Sequence, residues 1–209
     1  ITHKQNTTLI IVGVFALLTI GYFFVRRQLR QQFPLLPVDL MRIPIFSMSI
    51  GTSICSFTGQ MLAMLSLPFF LQETLERSDV ITGLLLTPWP IATMIIAPLA
   101  GRLVERIHAG ILGGIGMTIF ATGLFLLAIL PSNPTNMDII WRLFICGSGF
   151  GLFQTPNNST IISSAPSNRS GGASGMLGTA RLLGQTLGAT QVAMIFYLVP
   201  INSSQTCLY

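Results

Sequence analysis

The sequence predicts an all-α protein, a polytopic bundle of membrane-spanning helices. Two observations carry that prediction: ionisable residues are scarce, and those present gather between long runs that have none. Apolar residues make up 51% of the 209 residues and charged ones only 8%, where a soluble domain carries about a quarter charged. Mean hydropathy is +0.71. Residues 80–101 and 109–137 contain no Asp, Glu, Lys or Arg, and about 20 apolar residues are what a helix needs to cross a hydrocarbon core.

Charges divide the chain into six expected spans. The first covers residues 8–25 and closes on Arg26, Arg27 and Arg30, a basic cluster that assigns its far end to the cytoplasm. A polar linker over 31–42, with Pro34, Pro37 and Asp39, leads to a second span within 43–71. That stretch is longer than a bilayer needs, so it tilts, protrudes or begins as a surface turn near Pro44. An acidic connection over 72–79 faces outward. The third span, 80–101, holds Pro88-Trp89-Pro90 near its middle. The fourth, 110–130, stops at Pro131-Ser132-Asn133-Pro134, through which a helix does not continue. The fifth runs from Asp138 and Trp141 to about 164, and the sixth from 173 to about 199, joined by a loop over 165–172 that holds Arg169.

This order gives a linker-type helix with a basic end over 1–30, a cytoplasmic linker over 31–43, a helix bundle over 44–199 and an atypical tail over 200–209. Opening on Ile1 without a Met, the chain is expected to be part of something longer.

The net charge of +5, from 11 basic and 6 acidic residues, marks cytoplasmic loops by the positive-inside bias. The implied partner is the lipid bilayer, and nucleic acid is not implied. Cys55, Cys146 and Cys207 share no metal-type spacing, and neither a metal nor a cofactor is expected. No HExxH, Walker loop, dinucleotide fingerprint or nucleophilic Ser-His-Asp arrangement occurs, so no enzyme is expected. His3 and His108 read as solvated loop residues.

The charged hinge between spans three and four, Gly101-Arg102-Leu103-Val104-Glu105-Arg106 and on to Gly110, gathers three charges between two long charge-free runs. Its glycines are expected to permit a sharp turn or close helix contact. In span five, Gly147, Gly149 and Gly151 precede Pro156 and Asn157; in span six, Gly175, Gly178, Gly184 and Gly188 recur. All seven are expected to pack helices together. Arg181 falls on the same stripe as Gly184 and Gly188.

These segments resemble a known family. The hinge is similar to the G-x-L-a-D-R loop that major facilitator transporters carry between the second and third helix of each half, with Glu105 where Asp is usual. Trp141-Arg142-Leu143-Phe144-Ile145-Cys146-Gly147-Ser148-Gly149-Phe150-Gly151 resembles the fourth helix of such a half. Residues 172–188 resemble the fifth helix in the second half of the fourteen-helix drug/proton antiporters. Within that branch the chain is most similar to the methyl viologen and quaternary ammonium efflux pumps of Gram-negative bacteria.

The resemblance implies a multi-pass protein of the inner membrane whose six spans are helices eight to thirteen of fourteen. It also implies alternating access, an N-terminal half of the same transporter as partner, and an organic cation and a proton as cargo. Glu105 and Arg106 would help latch the two halves in one state of the cycle. The candidate substrate path comprises Phe57, Gln60 and Met61 in span two, Trp89 in span three, Arg142 and Asn157 in span five, and Arg181 and Gln185 in span six. An indole face suits a flat cation, but Trp89 also reads as a packed residue at an ordinary kink. Arg142 either tunes the outer mouth or snorkels to headgroups; Arg181 either tunes the path or bonds to helix ends. No acid lies deep in a span, so proton coupling is expected outside this chain. The alternatives are a carrier of a neutral or anionic solute, or a non-functional truncation product.

Overall fold

The computed structural model describes residues 38–131 and 133–198, together with the isolated positions Thr19, Tyr22, Phe23 and Arg26. The expected first span and the tail lie outside the continuous described residues. A 3-10 turn, Val38–Arg42, leads into five rods. The first is α1, Pro44–Phe69, extended by a π turn through Phe70–Thr74. Pro44 sits in its first turn, where a missing N–H costs nothing. The chain reverses at Glu76, a non-glycine residue with φ 50°. The second rod is α2, Asp79–Leu86, followed by α3, Pro88–Val104. They part at Thr87 because the proline nitrogens that follow have no proton to donate, which is the kink expected from Pro88 and Pro90.

Then come α4, Ala109–Ala128, α5, Asn136–Ser163, and α6, Ser170–Leu198. Thr135 and Asp138 form a reciprocal capping box at the start of α5: the Thr135 hydroxyl accepts from the Asp138 N–H at 3.2 Å and the carboxylate accepts from the Thr135 N–H at 3.0 Å. The loop expected over 165–172 is shorter, since Ser167–Arg169 is a 3-10 turn and α6 begins at Ser170.

Among the described residues, three stretches are long and apolar enough to cross a membrane: Pro44–Thr74, Asp79–Val104 and Ala109–Ala128. α5 and α6 have 28 and 29 residues but are more polar, so of the six expected spans three meet that measure among the described residues. The polar groups of α5 include the buried Asn157, while α6 leaves Arg181, Thr186, Thr190 and Gln191 exposed among the described residues. α5 is the common neighbour of α1, α3 and α4, while α6 leans on α1.

The close approaches run along glycines. A Cβ at Gly147 would meet the Trp89 carbonyl, and one at Gly151 would lie 3.2 Å from the Thr93 Cα, so both hold α5 against α3. Gly149 faces the backbone of Phe120 on α4. A Cβ at Gly184 would lie 2.6 Å from the Ile54 carbonyl and one at Gly188 2.6 Å from the Thr58 carbonyl, seating α6 on α1. Threonines stitch the same seams: Thr93 donates to the Gly147 carbonyl at 3.0 Å and Thr58 to the Gly184 carbonyl at 3.2 Å. Gly175 and Gly178 depart from the expectation. Nothing lies within 4 Å of a Cβ at either, because they occupy a side of α6 that no other described helix covers.

Candidate functional site

Four rods converge on a cavity of about 630 Å³. α1 contributes Phe57, Gln60 and Met64, three and four residues apart and therefore on one face. The broken rod contributes Gly83, Leu86, Thr87, Trp89, Pro90, Thr93 and Met94; α5 adds Phe150 and Gln154, and α6 adds Arg181. At 1.5 Å per residue, Arg181 stands about 16 Å from the start of α6 and Phe57 about 20 Å from the start of α1. Measured from those ends, both distances are about half the thickness, or somewhat more, of a hydrocarbon core of about 30 Å.

The floor of the cavity is an aromatic cluster drawn from four helices. Trp89 and Phe120 meet edge to face at 5.8 Å, Phe57 and Phe150 at 5.5 Å, and Phe120 and Phe150 at 5.5 Å, the geometry ring quadrupoles prefer. Trp89 is only 2% exposed, so it supports the wall and offers no open indole face. The packed reading of Trp89 therefore prevails over the expectation of a free cation-stacking surface. Above the floor, the Arg181 guanidinium carbon lies 5.6 Å from the centre of the Phe57 ring. Its side chain is exposed to the cavity and makes no ion pair or hydrogen bond among the described residues.

The structure brings Phe57, Gln60, Trp89 and Arg181 together and leaves the other expected path residues elsewhere. Met61 turns toward α6, its Cβ 2.9 Å from a Cβ built on Gly188. Gln185, one turn beyond Arg181, does not line the cavity. Arg142 sits at the opposite end of α5 with its guanidinium 5.0 Å from the Trp141 ring centre; two of its nitrogens are buried without a partner.

Asn157 belongs to a second cavity of about 500 Å³ between the starts of α1 and α4 and the end of α5. Its amide donates to the Ser53 hydroxyl at 2.7 Å and the Ser49 carbonyl at 3.2 Å, a buried bond set that fastens α5 to α1. Sequence reasoning passed over Phe150, Gln154 and Thr93 as cavity residues. Gln154 carried a usable signal, a polar amide inside an apolar run.

The hinge residues Gly101, Arg102, Glu105, Arg106 and Gly110 gather where α3 ends and α4 begins. The turn does not use its glycines: Gly101 is within α3, Gly110 is within α4, and no described glycine has positive φ. His108 is the N-cap of α4, its ring Nδ1 accepting the Gly110 N–H at 3.3 Å, which gives the expected loop histidine a structural task. Arg102, Glu105 and Arg106 are exposed and unpaired among the described residues. The one ion pair among those residues joins Arg169 to Asp39 of the entering turn at 3.0 Å.

Comparison with known proteins decides the family. The model of the Major Facilitator Superfamily matches residues 4–189. The chain belongs to the Major Facilitator Superfamily. It is 63% identical over 204 residues to the uncharacterized transporter YebQ of Escherichia coli K12, covering 98% of this chain and 45% of that protein. It is 32% identical over 166 residues to the multidrug resistance protein Stp of Mycobacterium tuberculosis H37Rv, covering 79% of this chain and 30% of Stp. To the multidrug efflux pump LfrA of Mycolicibacterium smegmatis it is 30% identical over 176 residues, covering 84% and 35%. The chain thus spans less than half the length of these relatives. As a facilitator segment it is part of a membrane transporter and not an enzyme.

Proposed function

We propose that the parent protein exports amphiphilic organic compounds by alternating access, driven by protons, from the inner (plasma) membrane. In this reading the described bundle is one wall of the central site, and an N-terminal half of the same transporter forms the other. The mid-depth cavity carries the proposal: its aromatic and apolar lining suits a hydrophobic ring system, and its neutral amides at Gln60 and Gln154 suit orientation by hydrogen bonds. The printed names of Stp and LfrA agree with an efflux role. Methyl viologen and quaternary ammonium compounds are the cargo that the resemblance implies, and for them a membrane acid must come from outside this segment. A second reading, a neutral or anionic solute, is favoured by one observation: the only ionic group on the cavity wall among the described residues is Arg181.

The test uses the full-length parent in a strain stripped of its exporters. Tolerance of toxic amphiphilic organic compounds is expected to rise, with proton-gradient-dependent export in everted vesicles; a rise with methyl viologen and quaternary ammonium compounds is the outcome that the cation reading requires. Unchanged tolerance of those cations beside normal protein levels would remove the cation reading, and absence of export for every organic compound tried would remove the efflux reading as a whole.

A further inference from the structure

Arg181 holds a fixed positive charge on the cavity wall, with no group of opposite charge beside it among the described residues. The other polar side chains on the wall, Gln60, Thr87, Thr93 and Gln154, are neutral, and no carboxylate lines the cavity among the described residues. The guanidinium has five N–H donors, none of them bonded to a described residue, and its plane lies near Phe57. An ionic group within a membrane-spanning bundle is costly unless it is compensated.

We propose that Arg181 is the specificity-determining residue of this cavity, selecting aromatic amphiphiles that bear an anionic group and turning away cations from the same wall. The assignment rests on the cavity being the transport site. A carboxylate or sulfonate arriving beside Arg181 gains paired, charge-assisted N–H···O bonds, while its ring system lies against the more open apolar lining of Met64, Leu86 and Met94. A cation entering the same cavity meets the guanidinium already there, and two like charges a few ångströms apart in a low-dielectric site repel strongly.

Three probes sharing one ring system test this by calorimetric titration of the purified full-length parent: 2-naphthoate, 2-naphthamide and 2-naphthyltrimethylammonium. The naphthoate is expected to bind about tenfold or more tightly than the amide, and the ammonium compound most weakly, as befits a charge-assisted bond. Arg181→Gln should bring naphthoate to within about threefold of naphthamide while leaving the amide's own affinity in place, and Arg181→Lys should keep most of the preference. Equal wild-type affinities, binding of none of the three, or Arg181→Gln weakening all three alike would overturn the proposal. The last result is what a purely structural arginine would give, and equal wild-type affinities are what one paired with an acid from the rest of the parent would give. Export is scored separately in vesicles: the predicted preference in binding without export would sink the efflux reading and leave the Arg181 assignment standing.

Discussion

A methyl group added at Gly147 has nowhere to go, since its place is taken by the Trp89 carbonyl, a backbone atom that yields only if α3 moves. Gly147→Ala should therefore destabilise the detergent-solubilised parent by about 1–3 kcal/mol, read as a lower thermal midpoint. Gly175→Ala and Gly178→Ala meet open space and should be neutral or raise the midpoint, because alanine is the better helix former by up to about 1 kcal/mol. Equal losses at all three sites would contradict the seams described. The sequence displays these glycines identically. What separates them is the neighbour across the seam, which spacing within one helix does not encode. Asn157 teaches the same lesson with a polar group. Asn157→Leu takes the amide donor from the Ser53 hydroxyl and one of two side-chain donors from the Ser49 carbonyl, which keeps that of Thr52, a loss of about 1–3 kcal/mol, and should lower the midpoint without altering the order of substrate preference.

At the scale of elements, the charge-free runs made the rods legible: the second to fifth expected spans coincide with α1, α2 plus α3, α4 and α5 to within a few residues, and the sixth, matched by α6, begins three residues early. Pro88 and Pro90 announced the break at Thr87 because a proline's missing donor acts locally. The caps were less visible. His108 looks like any loop histidine until the α4 N–H it accepts is in view, and Thr135 gains meaning only with Asp138 three residues on. Thr135→Ala should cost about 1 kcal/mol and speed amide hydrogen exchange over the first turn of α5; unchanged exchange there would deny the capping box a role. The Asp39–Arg169 pair spans 130 positions of sequence and left no mark in it. With Asp39 half exposed, a double-mutant cycle should find a coupling no larger than about 1 kcal/mol.

At the scale of the molecule, the hinge end collects Arg102, Glu105 and Arg106, all solvent-facing and unpaired among the described residues, as groups awaiting a surface outside this segment would be. In the full-length parent, Arg106→Ala is expected to reduce export severalfold at normal protein level, because a charge pair made in one domain arrangement and broken in the other shifts a two-state balance by about 1 kcal/mol. Undiminished export would remove the latch role. The helices that build the central cavity were legible as a set, while its wall was not: Phe150 and Gln154 join Phe57 only because α5 is threaded between α1 and α3.

One feature of that wall reaches beyond transport. Trp89 is sealed among phenylalanines whereas Trp141, the only other tryptophan in the chain, is 40% exposed near the far end of α5. Excited with ultraviolet light, the two indoles should emit at different wavelengths, the sealed one to the blue. A parent retaining Trp89 as its sole tryptophan would then carry its own lamp beside the cavity, able to report the arrival of cargo without any attached dye.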